Sequence, residues 1–143
     1  MQDRPTIDEL LDALRRFVEH DVVPNLSGGR QFHARVAANV LAIIGRELRD
    51  GDGFLRAEWR RLDALSGAPA GAPPSDAAEL RAAVVAMNEA LAARIRAGDV
   101  DDEPARAAVV AHLRATIEEK LRIANPRYLE ESDAGGAVPG ARP

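Results

Sequence analysis

The chain has 143 residues, a length that suits one ordinary domain and is too short for a two-domain enzyme with a separate cofactor module. Of these, 46% are apolar but only 3% are aromatic, and alanine fills roughly a fifth of the positions, a mixture that favours close-packed helices over a sheet. The absence of cysteine excludes disulfide frameworks, thiolate zinc sites and cysteine nucleophiles, and the net charge of -4 argues against duplex nucleic acid as the main partner.

The N-terminus has no cationic region leading into an apolar stretch, so no leader peptide is expected. The longest nearly apolar window, Val36 to Gly45, falls far short of the roughly 20 residues that span a bilayer. The chain therefore reads as soluble and cytoplasmic, with no membrane partner. Lys120 is the single lysine among 19 basic residues, a skew that fits a GC-rich bacterial codon habit and carries no nucleic-acid signal.

Thr6 followed by Glu9 is a capping box that opens a first helix, whose apolar stripe runs through Ile7, Leu10, Leu11, Leu14, Phe17 and Val18 until Pro24 stops it. After a turn-rich connection, a second helix is expected from Arg30 to Arg49. Its apolar positions, from Phe32 to Leu48, cover more than half the circumference, which predicts a central helix. Asp50-Gly51-Asp52-Gly53 then reads as a break before a short third helix from Phe54 to Leu65, ending at Ser66-Gly67.

Residues 68–75 are rich in Pro and Gly and read as a flexible crossover within one domain. A fourth helix starts near Asp76, with Glu79 completing a weaker capping pair, and ends at Gly98. Pro104 opens a fifth helix, also expected near the centre, with Val109, Leu113 and Ile117 on its buried arc and Asn125-Pro126 as its stop. Tyr128 and Leu129 are expected to fold back onto the bundle, and residues 130–143 to form a disordered tail. The expectation is an all-α, up-and-down helical bundle of four long helices plus one short helix over residues 1–129.

No Gly-rich phosphate loop, His-Glu-x-x-His or Gly-x-Ser-x-Gly motif is present. The histidines His20, His33 and His112 lie on three different helices, without the spacing of a metal site, so neither a metal nor a cofactor is assigned. Five polar residues interrupt apolar faces and are expected to point inward: His33, Asn39, Asn88, Thr116 and Lys120. A buried amide or lysine costs several kcal/mol unless it is hydrogen-bonded or paired. These side chains are thus either satisfied core polar groups, with Lys120 reaching past the helix end, or the lining of a polar pocket for a small anionic or amide-containing ligand. Arg35 and Arg46 read as solvated or salt-bridged, with an anion or an acidic partner surface as the other reading.

Two blocks carry a resemblance, Phe32 to Ile43 (FHARVAANVLAI) and Lys120 to Leu129 (KLRIANPRYL). With Arg4-Pro5-Thr6 and Arg96-Ala97-Gly98, they resemble a bacterial family of small proteins known only as a domain of unknown function. The resemblance implies a genomic setting beside, or fused to, kinases similar to aminoglycoside phosphotransferases and near acyl-CoA dehydrogenases. In these blocks His33, Arg35 and Asn39 are polar choices that packing does not require, while Lys120, Arg122 and Arg127 gather near the negative end of the fifth helix, where capping alone justifies them. Tyr128 reads as a hydrophobic anchor.

The chain lacks the nucleotide cradle, metal-binding carboxylates and catalytic base of a phosphoryl-transfer enzyme, so it is not itself the kinase. The leading reading is a non-enzymatic accessory protein that partners such a kinase in acyl-CoA or fatty-acid catabolism. The alternative is a small-ligand-binding protein or minor enzyme, with His33, Arg35, Asn39, Asn88, Thr116, Lys120, Arg127 and Tyr128 as the candidate ligand-binding residues and no catalytic residue assigned. Self-assembly into a homodimer is a third reading, through an exposed Trp59 or surplus apolar helix surface.

Overall fold

In the computed structural model, residues 4–67 and 71–134 are described, the side chains of 131–134 excepted. Five helices follow in order: α1 (Ile7–Phe17), α2 (Gly28–Ser66), α3 (Ala77–Ala97), α4 (Ala105–Ala124) and α5 (Pro126–Ala134). No strand occurs among the described residues, and the expected all-α architecture of four long helices and one short is the one observed. None of these helices is long and apolar enough to cross a membrane.

Local chemistry accounts for most of the helix ends. The Thr6 hydroxyl accepts from the Glu9 N–H at 3.2 Å, and Glu9 Oε2 accepts from the Thr6 N–H at 2.7 Å, completing the capping box at the start of α1. Asp76 caps α3 by accepting from the N–H groups of Ala78 and Glu79, both at 2.9 Å. At the other end of α3, Gly98 takes φ 83°, the left-handed conformation that closes a helix and suits glycine. Beyond α1, a π-helical turn (Val18–Val22) and a 3-10 turn (Val23–Asn25) carry the chain to Pro24 and the connection into α2.

Two expectations about element boundaries need correction. The second and third helices are one helix, α2, of 39 residues. Gly and Asp weaken a helix interior by at most about 1 kcal/mol each, which neighbouring turns can offset, and Arg56 bonds Asp52 at 2.9 Å one turn back. Tyr128 and Leu129 lie in a further short helix, α5, and helical structure continues past residue 129, where a disordered tail was expected to begin, to Ala134. Of the crossover, residues 68–70 lie outside the described residues, as does the tail from residue 135 onward.

The described residues divide into two compact units that meet between Asp50 and Gly51, inside α2. In the first unit α1 and the N-terminal part of α2 form an antiparallel hairpin: Asp8 at the start of α1 lies 3.9 Å from Arg49, and Gln31 donates to the Val23 carbonyl at 3.1 Å. On α2, the buried residues of this unit are Ala38 and Gly45, with Ala34 and Ala42 half-buried, a row of small side chains that lets the helices approach closely. This part of α2 is therefore not the densely covered central helix that its apolar content suggested. On α1, Ile7, Leu10, Leu14 and Phe17 are exposed. The polar side is tied by ion pairs from Arg15 to Asp12 and Glu19, at 2.7 and 2.6 Å, and Arg15 and Arg16 hold the Asp12 carboxyl below the usual carboxylate range.

The second unit contains the core. Trp59 and Leu62 of α2, Leu80, Val84 and Leu91 of α3, Val100 of the turn and Val109 of α4 pack into one buried cluster. Trp59, expected at the surface by the self-assembly reading, is buried in it. Asn88 on α3 reaches Glu58 on α2, and one to two turns further along both helices Arg94 donates to the Leu65 carbonyl at 2.7 Å. The C-terminal part of α2 and α3 therefore run in the same sense. The long connection between Ser66 and Ala77 permits this, and Arg56 binds its far end through the carbonyls of Pro74 and Ser75, at 3.1 and 3.4 Å.

Candidate functional site

A cluster of polar side chains sits beside the core of the second unit. From α2, one turn apart, come Glu58 and Arg61. The sequence places them on the same arc as Leu55, Trp59, Leu62 and Leu65, so the local helix turns a carboxyl group and a guanidinium inward among apolar neighbours. From α3 comes Asn88, one turn beyond Val84. From α4 come His112, Thr116 and Glu119, successive positions of a single face.

The hydrogen bonds divide the cluster into two pairs with a histidine near both. Asn88 donates through Nδ2 to Glu58 Oε1 at 2.8 Å and to the Val84 carbonyl at 3.1 Å, which fixes the amide across the α2–α3 interface. Arg61 donates through Nη1 and Nη2 to the two oxygens of Glu119, at 2.8 and 2.5 Å, and Nη2 also reaches Thr116 Oγ1 at 3.3 Å. This is the fork-to-carboxylate geometry that makes arginine the preferred partner in a sheltered ion pair. Glu58 and His112 are only 7% and 3% exposed, so each is largely withdrawn from water.

His112 is the exception to an otherwise paired set. Neither ring nitrogen has a hydrogen-bond partner, and the Nε of Arg61 also lacks one. Burial pushes the imidazole pKa down, and the positive charge of Arg61 pushes it further the same way, while Glu58 and Glu119 pull against them. The ring is thus held neutral at pH 7, influenced by the charges of Glu58 and Glu119 but with no carboxyl oxygen bonded to it. It can take up a proton, but the cluster contains no serine, cysteine or lysine placed as a nucleophile against it.

Of the candidate residues read from the sequence, this cluster brings in two. Asn88 is half-buried against Glu58, and Thr116 is buried against Arg61. His33, Asn39 and Lys120, expected to face inward, are exposed, as are Arg35, Arg127 and Tyr128. His33, Arg35 and Asn39 belong to the first unit, whereas Asn88, Thr116, Lys120, Arg127 and Tyr128 belong to the second. His33 makes an edge-to-face contact with Phe32, with ring centroids 5.7 Å apart. Lys120 adds a further positive charge to the surroundings of His112.

Glu58, Arg61, His112 and Glu119 are the members that the sequence reading did not select. Their signal was present for α2, where an acid and a base interrupt an apolar stripe. It was absent for α4, because the arc containing Val109, Leu113 and Ile117 looks like the inner one. Instead Val109, His112 and Thr116 are buried, and Val110, Leu113 and Ile117 are exposed. Among the described residues no group of three or more His, Asp or Glu is placed to hold a metal ion. A shallow depression along the first unit is lined by Glu9, Asp12, Arg16, Phe17, His20 and Asp21, all from α1 and the turn after it, so it does not enclose a ligand.

Comparison with known proteins identifies one family. The profile of DUF6285, a domain of unknown function, matches residues 24–128, more than half of the chain. No curated protein and no solved structure matches.

Proposed function

Given that the chain belongs to the DUF6285 family, whose role is unassigned, we propose that it is a non-enzymatic accessory protein that works by docking to another protein. The observation that carries this reading is the orientation of α4. Its polar side chains His112 and Thr116 are buried, while the apolar row Val110, Leu113 and Ile117 stands exposed. Apolar rows of this kind on a helix are what a partner groove or partner helix covers. The partner class that the sequence resemblance implies is a kinase similar to aminoglycoside phosphotransferases, acting in acyl-CoA or fatty-acid catabolism.

The test is capture of that kinase by the tagged full-length chain from the native host. Recovery of the kinase with the wild type and its loss with Leu113→Glu plus Ile117→Glu is the expected result. Repeated recovery of the protein alone would sink the idea.

A second reading, a small-ligand-binding protein or minor enzyme, draws support from His112, whose buried ring nitrogens have no partner. A ligand bound only by the folded chain raises its melting temperature. Acyl-CoAs and nucleotides, each with and without the kinase, are the compounds to screen. A shift that disappears in His112→Leu supports this reading, and no shift with any of them removes it.

A further inference from the structure

The exposed row on α4 runs into charge at both ends. Arg106, Val110, Leu113, Ile117 and Lys120 follow one another at steps of four, three, four and three residues, and all five are exposed. That spacing keeps them on one narrow strip of the helix, the kind of seam that a second helix packs against. Three apolar side chains form its centre, and a cation stands one turn beyond each end. A third cation, Arg114, borders the strip, four residues after Val110 and three before Ile117.

No carboxylate of α4 answers these cations on this face. Glu119 is turned inward to Arg61, and Glu118 lies about 100° round the helix from Ile117. Arg114 and Lys120 form no hydrogen bond or ion pair among the described residues, and Arg106 has only Glu103, in an exposed pair at 3.0 Å. A pair so open to water is weak, so a partner's carboxylate can share or displace it.

The charges decide what can cover the strip. A second copy of α4 laid parallel sets Arg106 against Arg106 and Lys120 against Lys120. Laid antiparallel about Leu113, it sets Arg106 against Lys120. Either way cation meets cation, and like charges in register oppose pairing. A lipid surface offers negative charge, but a helix lying in it needs a wider apolar face, and the opposite side of α4 is committed to the core. What remains is a helix whose own apolar stripe is edged with carboxylates.

Building on the docking role proposed above for α4, we infer that the partner element is an acidic amphipathic helix. Its apolar stripe sits on Val110, Leu113 and Ile117, and its carboxylates pair with Arg106, Arg114 and Lys120. Opposite charges along a shared seam set register and partner choice, as they do in coiled coils. The strip is short, so the contact is smaller than a standard interface and its strength depends on salt.

Two synthetic three-heptad peptides test this against the full-length chain. Both carry Ile and Leu in alternation along one seam; one has the seam edged with Glu, the other with Lys. Fluorescence anisotropy should show the Glu-edged peptide binding at least tenfold more tightly, with the difference shrinking as salt is raised. Arg106→Glu combined with Arg114→Glu and Lys120→Glu should invert the preference, with helical circular dichroism retained. The same reversal at Arg30, Arg35 and Arg122, off the strip, changes the net charge equally and should leave the preference as it was.

Equal affinity for the two peptides, or no binding of the Glu-edged peptide below about 1 mM, would overturn the inference. So would inversion by the off-strip variant, or binding to phosphatidylglycerol vesicles in place of the peptide. Kinase capture that Leu113→Glu plus Ile117→Glu abolishes but the triple reversal on the strip leaves intact would also overturn it, while keeping α4 as the kinase-binding face. Peptide binding with no kinase captured keeps the acidic helix and removes the kinase.

Discussion

The guanidinium of Arg61 on α2 meets the carboxylate of Glu119 on α4 through two parallel hydrogen bonds of 2.8 and 2.5 Å, at a depth where the two side chains are 26% and 15% exposed. Such a pair clamps two helices that are 58 residues apart in sequence. Its net contribution is small, because both charges lose water, but removing one partner strands the other.

Glu119→Ala should therefore destabilise the chain by about 2 kcal/mol, a value discounted for the partial exposure of both groups. Arg61→Met combined with Glu119→Leu should recover most of that loss. Urea denaturation of the two single variants and the double variant measures this. A double variant no more stable than Glu119→Ala would contradict it.

Stability should rise with pH through the range in which His112 titrates. Burial and Arg61 lower the folded-state pKa of His112, so below its ordinary value of about 6.5 the unfolded chain binds a proton that the folded chain resists. The stability conferred by the neutral ring is complete above that value and is lost as pH falls towards the folded-state pKa. His112→Leu should flatten this part of the profile, in denaturant midpoints collected between pH 5 and 8. An unchanged slope would assign the dependence to other groups.

Leu80 is fully buried at the centre of the second unit's core. Leu80→Ala should cost about 3 kcal/mol through lost burial and a residual cavity. The same truncation at the exposed Val85 should cost under about 0.5 kcal/mol, and a comparable loss at both positions would show that this core is misassigned.

Two glycines should respond to alanine with opposite signs. At Gly98 the backbone φ is 83° and an added Cβ would lie 3.3 Å from Asp101 Oδ2, so Gly98→Ala should destabilise by about 1 kcal/mol. Gly53 is inside α2 with nothing within 4 Å of the position of a Cβ, so Gly53→Ala should stabilise by about 0.5 to 1 kcal/mol. Thermal melts of the two variants separate these outcomes.

The parts of the fold that could be read in the sequence are those decided within a few residues. The Thr6–Glu9 box, the Asp76 cap, the Gly98 stop and the Asn125-Pro126 stop each act on their own turn of helix, and each is found where its chemistry puts it. The Asp50–Gly53 segment misled because turn-forming residues only lower helix stability, and the helical turns on either side outweigh them. The inner face of α4 misled for a different reason. Periodicity reports where an apolar stripe lies on a helix but not whether that stripe is covered, and Ala105, Val109, His112 and Thr116 make the narrower face that fits against α2 and α3. The candidate site was half legible by the same logic: Asn88 and Thr116 are conspicuous as polar exceptions, and Glu58 and Arg61 interrupt the apolar stripe of α2, whereas Glu119 reads as an ordinary surface residue until the tertiary structure makes it a partner.

The position of the unit boundary inside α2 bears on how the chain melts. Glycine occupies positions 51 and 53, in the first turn of α2 beyond that boundary. A joint of that kind transmits little cooperativity, since glycine gains the most chain entropy when it frays. Calorimetry should accordingly resolve two heat-absorption events, the second unit with its Trp59–Leu80 core melting last, and tryptophan fluorescence should follow only that later event.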